Sequence, residues 1–153
     1  MNDTLTPPLR ETRRSLPIAL LRARDVVMVP VREMLAKSGV NEQKWRVLRV
    51  LDETGPMELT TLAHSAVLLL PSLTRMIRAL EEDALILRKV PLSDRRKVVV
   101  EITAKARDLL AAHAQASQAI VARIEAGFGH DRLEILLDLL EDLQKQDFRV
   151  QGG

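Results

Sequence analysis

Two clusters of side chains carry chemistry at a spacing that can be used. Ser72, Thr74, Arg75 and Arg78 are interleaved with an apolar stripe of Leu73, Ile77 and Leu80, so on a helix they occupy the face turned away from the core. A few residues later, between Ile86 and Val100, five bases (Arg88, Lys89, Arg95, Arg96 and Lys97) stand against one acid, Asp94, a local balance of +4. Arginine near the start of an exposed helix can bind a guanine edge through two hydrogen bonds, and cations on a flanking hairpin can meet phosphates. The chemistry these types suggest is recognition of a DNA duplex.

Within that reading Ser72 and Arg75 are the candidates for base contacts and Arg78, one turn on, for a phosphate. Thr74 is open between base, phosphate and a hydroxyl bonded back to its own helix. Asp94 and Arg96 are separated by one residue, so the acid can hold the arginine fork in position for a narrow minor groove. As a bare surface ion pair the two would contribute under about 1 kcal/mol. For the charge run alone an ordinary solvated hairpin is the default reading; its place after a helix-turn-helix is what favours DNA.

Other chemistry is excluded by what the chain lacks. It has no cysteine, its three histidines (His64, His113 and His130) are isolated, and no glycine-rich phosphate loop or metal-ligand spacing is present. An enzyme, a bound metal and a cofactor are therefore not expected. The formal net charge is only +2, but it is segregated: Asp131 to Asp147 holds six acids against two bases, a balance of −4. No apolar run approaches the roughly 20 residues of a membrane helix, and "MNDTLTPPLRETRRS" has no apolar export core. A cytoplasmic protein without membrane contact is expected.

The elements that must position these residues are mainly helical, since aromatic residues are 2% of 153 and Leu, Ala, Val, Arg and Glu dominate. Residues 1–15, with Pro7 and Pro8, read as a flexible arm, and 148–153 as a flexible tail. A first helix is expected from about Leu16 to Lys37, kinked by Pro30 and closed by Gly39. Asn41 is a good N-cap for a second helix, "EQKWRVLRVLDET", which Gly55 and Pro56 stop. A short third helix, about Leu59 to Ser65, is joined by a tight turn to a fourth that begins at Pro71, which is helix-turn-helix spacing. After Ala84 the period falls to two: "LILRKV" and "KVVVEIT" flank the turn formers of "PLSDRR" and form a hairpin. Thr103 can cap a long fifth helix to about Glu125, and a last helix runs from Asp131 to about Gln146.

The fold class is thus mainly α with a small β-hairpin wing, a winged helix-turn-helix over about 41–103 flanked by long helices over about 16–38 and 104–147. Leu133, Leu136, Leu137, Leu140 and Leu143 make the stripe of the last helix too broad for one facing solvent. Pairing with a second copy is the expected solution, and folding back on its own core is the alternative.

The phrases "PSLTRMIRALEEDALI" and "DRRKVVVEIT" followed by "AKA" resemble the multiple-antibiotic-resistance regulator (MarR) family of winged-helix transcriptional regulators, over roughly Leu16 to Gln146. The resemblance implies an obligate homodimer joined by the first and last helices, on a pseudo-palindromic operator in double-stranded DNA. It places a recognition helix at Pro71 to Leu80 and a wing tip at Asp94, Arg95 and Arg96. It also implies a repressor released by a small phenolic or aromatic carboxylate. "ALLRARD", "QKWRVLRVL" and "LLLPSLTRMIRALE" point within the family to control of an aromatic-acid catabolic operon of the homoprotocatechuate or 4-hydroxyphenylacetate type. Ala84 and Ala106 stand where the family often has glycine. A winged helix used only for protein contacts is the competing function.

An aromatic-acid effector needs an apolar slot and a fixed cation. Arg24 and Met28 on the first helix, Trp45 and Arg46 on the second and His64 on the third are the candidates. Each has a plainer reading: Trp45 as core, Arg24 and Arg46 as interface ion-pair partners, His64 as a surface polar residue.

Overall fold

Capping residues and hydrophobic spacing divide the chain where the residue types require it. The computed structural model describes residues 8–150, so residues 1–7 of the expected arm and 151–153 of the expected tail lie outside the described residues. A short 3-10 turn at Thr12–Arg14 precedes α1 (Leu16–Leu35), α2 (Glu42–Thr54), β1 (Met57–Glu58), α3 (Leu59–Ser65) and α4 (Leu70–Glu82). Then follow β2 (Ile86–Lys89), β3 (Val99–Ile102), α5 (Ala104–Phe128) and α6 (His130–Gln144).

The Asn41 side chain accepts a hydrogen bond from the Lys44 N–H at 2.9 Å and fixes the start of α2. Gly55, at φ 85°, ends it in a conformation that a Cβ would strain. Pro30 lies inside α1, which nevertheless runs from Leu16 to Leu35. The recognition helix is longer than its expected Pro71 to Leu80: it begins at Leu70, with Pro71 in the first turn, and extends to Glu82. Two residues without glycine's freedom have positive φ, Val67 at 54° in the α3–α4 turn and Ala84 at 56° after α4. Ala84 therefore does adopt the left-handed geometry that glycine would take there. The Thr103 hydroxyl ties this corner together, donating to the Ala84 carbonyl at 2.7 Å and accepting from the Ala106 N–H at 3.2 Å.

The sheet has three antiparallel strands in the order β1-β3-β2. Ile86 pairs with Ile102 and Glu58 with Val99, so β3 is central and the wing is anchored beneath the helix-turn-helix by β1. The hairpin was expected; β1, two residues long, has no alternation to reveal it. Val100 and Ile102 point into a core that also takes Val47, Leu48 and Leu51 from α2, Leu62 from α3 and Leu73, Ile77 and Leu80 from α4. Burying these side chains at roughly 1.5–3 kcal/mol each fixes how α4 and the wing are presented.

The described residues divide into two compact units, one up to His113 and one from Ala114. The two helices expected at the dimer interface are poorly covered within one chain. α1 buries only Leu35, leaving Leu21 67% and Val26 73% exposed. α6 buries none of its residues, with Ile135 59% and Leu139 61% exposed.

Candidate nucleic-acid interface and effector site

The stripe that seats α4 leaves its other face free. Thr74, Arg75 and Arg78 are exposed and Ser72 is half-buried near the helix start. Neither Arg75 nor Arg78 holds an ion pair among the described residues, so both guanidinium forks are available. The Thr74 hydroxyl donates to the Leu70 carbonyl at 2.9 Å, which is the backbone-bonded alternative rather than a free donor. A threonine inside a helix can bond back to the carbonyl four residues earlier, alongside the backbone N–H that this carbonyl already accepts.

The wing is less positive than the count of its bases. Arg88 donates from Nε and Nη2 to both carboxylate oxygens of Glu81, at 2.8 and 2.9 Å. That two-pronged bond holds the Glu81 carboxyl below the usual glutamate range, and it ties β2 to the end of α4. Lys89 is 2.6 Å from Glu101 and Lys97 is 3.1 Å from Glu58. These acids lie outside the stretch from Ile86 to Val100 in sequence and reach its bases in space. At the tip, the Asp94 carboxylate accepts from the Arg96 backbone N–H at 3.0 Å and lies 3.7 Å from the Arg96 guanidinium. Asp94 thus shapes the turn as well as facing the arginine. Arg95 holds no ion pair among the described residues and is exposed. The free cations of this face are therefore Arg75, Arg78 and Arg95, with Arg96 loosely held.

The effector candidates separate into two groups. Arg24, on α1, bonds to Glu42 on α2, and Arg46 Nη1 lies 3.9 Å from the same carboxylate. The Arg46 Nε is buried with no hydrogen-bond partner among the described residues. Trp45 is buried and meets a histidine edge-on, with ring centroids 5.4 Å apart at 73°. That histidine is His113 on α5, not His64. His64 is exposed on α3 and has no side-chain hydrogen bond or ion pair among the described residues, because α3 turns it outward when Leu62 and Ala63 face the core. Met28 is half-buried on α1. His113 Nδ1 donates to the Leu109 carbonyl at 2.9 Å, which fixes the orientation of the ring. Only its four-residue spacing from Leu109 and its position on the inner face of a long helix could have drawn attention to it.

Among the described residues, no group of three acidic, histidine or cysteine side chains could hold a metal ion, and no helix is long and apolar enough to cross a membrane. Three helices packed against a three-stranded sheet, with arginines free of ion pairs among the described residues on the second helix of the helix-turn-helix and at the wing tip, define a winged-helix DNA-binding protein.

The chain belongs to the MarR family of transcriptional regulators: residues 40–98 match that family, and nearly full-length relatives extend the match. It is 35% identical over 128 residues to the homoprotocatechuate degradative operon repressor of Escherichia coli, covering 84% of this chain and 86% of the relative. A crystal structure of NadR in complex with 4-hydroxyphenylacetate superposes with a TM-score of 0.80 at 31% identity, covering 92% of this chain and 100% of NadR. The transcriptional repressor CouR bound to a 23-mer DNA duplex gives a TM-score of 0.80 at 27% identity, over 91% and 100% of the two chains. The chain is accordingly a DNA-binding transcriptional regulator and not an enzyme.

Proposed function

We propose that the protein is a cytoplasmic homodimer that represses an aromatic-acid catabolic operon and leaves its operator when a small phenolic or aromatic carboxylate binds. The observation that carries the DNA half of this reading is the exposed Arg75 on α4, unpaired and one turn from the helix start. Each dimer places two such helices in successive major grooves, roughly 34 Å apart on a pseudo-palindromic site. Ser72 and Arg75 meet bases, Arg78 and Lys97 meet phosphates, and Asp94, Arg95 and Arg96 carry the wing into the flanking minor groove. Thr74 keeps its hydroxyl on the Leu70 carbonyl.

Dimerisation through α1, α5 and α6 covers the leucines and valines that one chain leaves open. The relatives support the repressor reading over a winged helix used only for protein contacts, since one of them is seen on DNA and another is a named operon repressor. Arg96→Ala is expected to weaken binding broadly and lower its salt dependence.

The effector half rests on the buried, unpartnered Arg46 Nε. An unpaired buried N–H costs roughly 1–3 kcal/mol, which a carboxylate oxygen would recover. Arg24 and Arg46 share the Glu42 carboxylate, so an arriving anion competes with Glu42 for two cations, with Trp45 and Met28 as apolar walls. His64 is the weakest member of the set, being turned outward. An effector that prefers a dimer with wrongly spaced recognition helices by roughly 1–3 kcal/mol makes a useful switch. Calorimetric titration with 4-hydroxyphenylacetate, homoprotocatechuate and salicylate tests this, and absence of heat with all three would remove the effector reading.

A further inference from the structure

Glu58 is an acid in a place where a DNA-binding face has no obvious use for one. It ends β1, where its pairing with Val99 of β3 fixes its backbone, and it occupies the N-cap position of α3 without making a side-chain cap bond. Its carboxylate instead meets Lys97 Nζ at 3.1 Å, with both side chains about half exposed. The two line an open groove of about 260 Å³ with Thr60, Leu70, Thr74 and Arg96, which brings together α3, the recognition helix and the base of the wing. A phosphate approaching that groove meets a cation already occupied and an anion that repels it.

We propose that Glu58 is a specificity-determining residue that withholds Lys97 from loosely bound DNA and releases it only to a phosphate brought in by a fully seated recognition helix and wing. Non-specific binding is almost wholly phosphate attraction, so each free cation strengthens it on every sequence. Pairing Lys97 with Glu58 removes one such cation from the free protein and from loose complexes. Correct docking holds a phosphate at the groove long enough to displace the carboxylate, so Lys97 contributes where the sequence is right. This rests on the DNA-binding reading above and adds a residue to it.

The test compares wild-type protein, Glu58→Gln, and the double variant Glu58→Gln with Lys97→Ala, on the upstream operator fragment and on a random duplex of equal length. On random DNA, Glu58→Gln is expected to bind more tightly, with the slope of log K against log salt steeper by about 1.8, about 0.9 for the Lys97 of each subunit. That difference multiplies the affinity lost between about 50 and 200 mM salt by a further factor of roughly 12. The double variant returns the random-DNA slope to the wild-type value yet binds the operator more weakly than wild type. Glu58→Gln preserves the shape of the side chain and forfeits no cap, and thermal unfolding checks that each variant is folded. An unchanged random-DNA slope for Glu58→Gln, or a double variant equal to wild type on the operator, overturns the proposal. If wild type shows no preference for the operator fragment, the repressor reading fails instead, while the random-DNA slopes still read the charge competition.

Discussion

Replacing Arg75 by alanine separates recognition from folding more cleanly than any other change on this face. The side chain is exposed, holds no ion pair among the described residues and lies opposite the stripe of Leu73, Ile77 and Leu80 that anchors α4. Its removal opens no cavity and leaves no buried group unpaired, so stability should stay within about 0.5 kcal/mol of wild type. A bidentate arginine–guanine contact contributes about 1–3 kcal/mol of discrimination. A dimer loses it twice, about 2–6 kcal/mol, which is a loss of operator affinity from roughly 30-fold to over 10,000-fold. The assay is fluorescence anisotropy with the operator and with single-base-pair variants in each half-site. Wild type should lose affinity at one position per half-site that Arg75→Ala no longer distinguishes. If the variant keeps the same ratio of operator to random affinity, the recognition face is wrongly placed.

Three further outcomes follow from the packing around that face. Leu80→Ala removes a fully buried side chain from the α4 stripe, and a loss of about 2–5 kcal/mol should appear in urea unfolding. Ala84→Gly relieves a residue at φ 56° and should stabilise the fold by up to about 1 kcal/mol, read as a higher urea midpoint. The Glu81 carboxyl is held below its ordinary range by the hydrogen bond from Arg88, so the pair contributes above the unfolded value of about 4.3 and is lost as pH falls through the lower folded value. Arg88 stays charged throughout, and Glu81→Gln should flatten the acid side of a stability profile.

The helix-turn-helix was legible because its signals are local. Asn41, Gly55 and Pro71 mark ends, and the leucine spacing between them marks faces, so α3 falls on Leu59–Ser65 as expected. The wing's charge was misleading for the opposite reason. Counting Arg88, Lys89 and Lys97 in a window omits Glu81 and Glu58, and it cannot show that Glu101 on the facing strand reaches back to Lys89. The strand β1 was invisible because two residues carry no period, yet it delivers Glu58 to the groove. The effector site was half legible. Trp45, Arg24 and Arg46 stand out by type on adjoining helices, but which histidine approaches Trp45 depends on how α5 packs on α2, and helical spacing gives no measure of that.

The account depends most directly on sequence-specific DNA binding that an aromatic acid reverses. One measurement reaches both parts: affinity of the full-length dimer for the DNA upstream of its own gene and for random duplex, at one stated salt concentration, with and without 4-hydroxyphenylacetate. The account predicts a preference of at least about 10³-fold for the upstream fragment, and loss of that preference when the acid is added. Equal affinity for the two DNAs would contradict it.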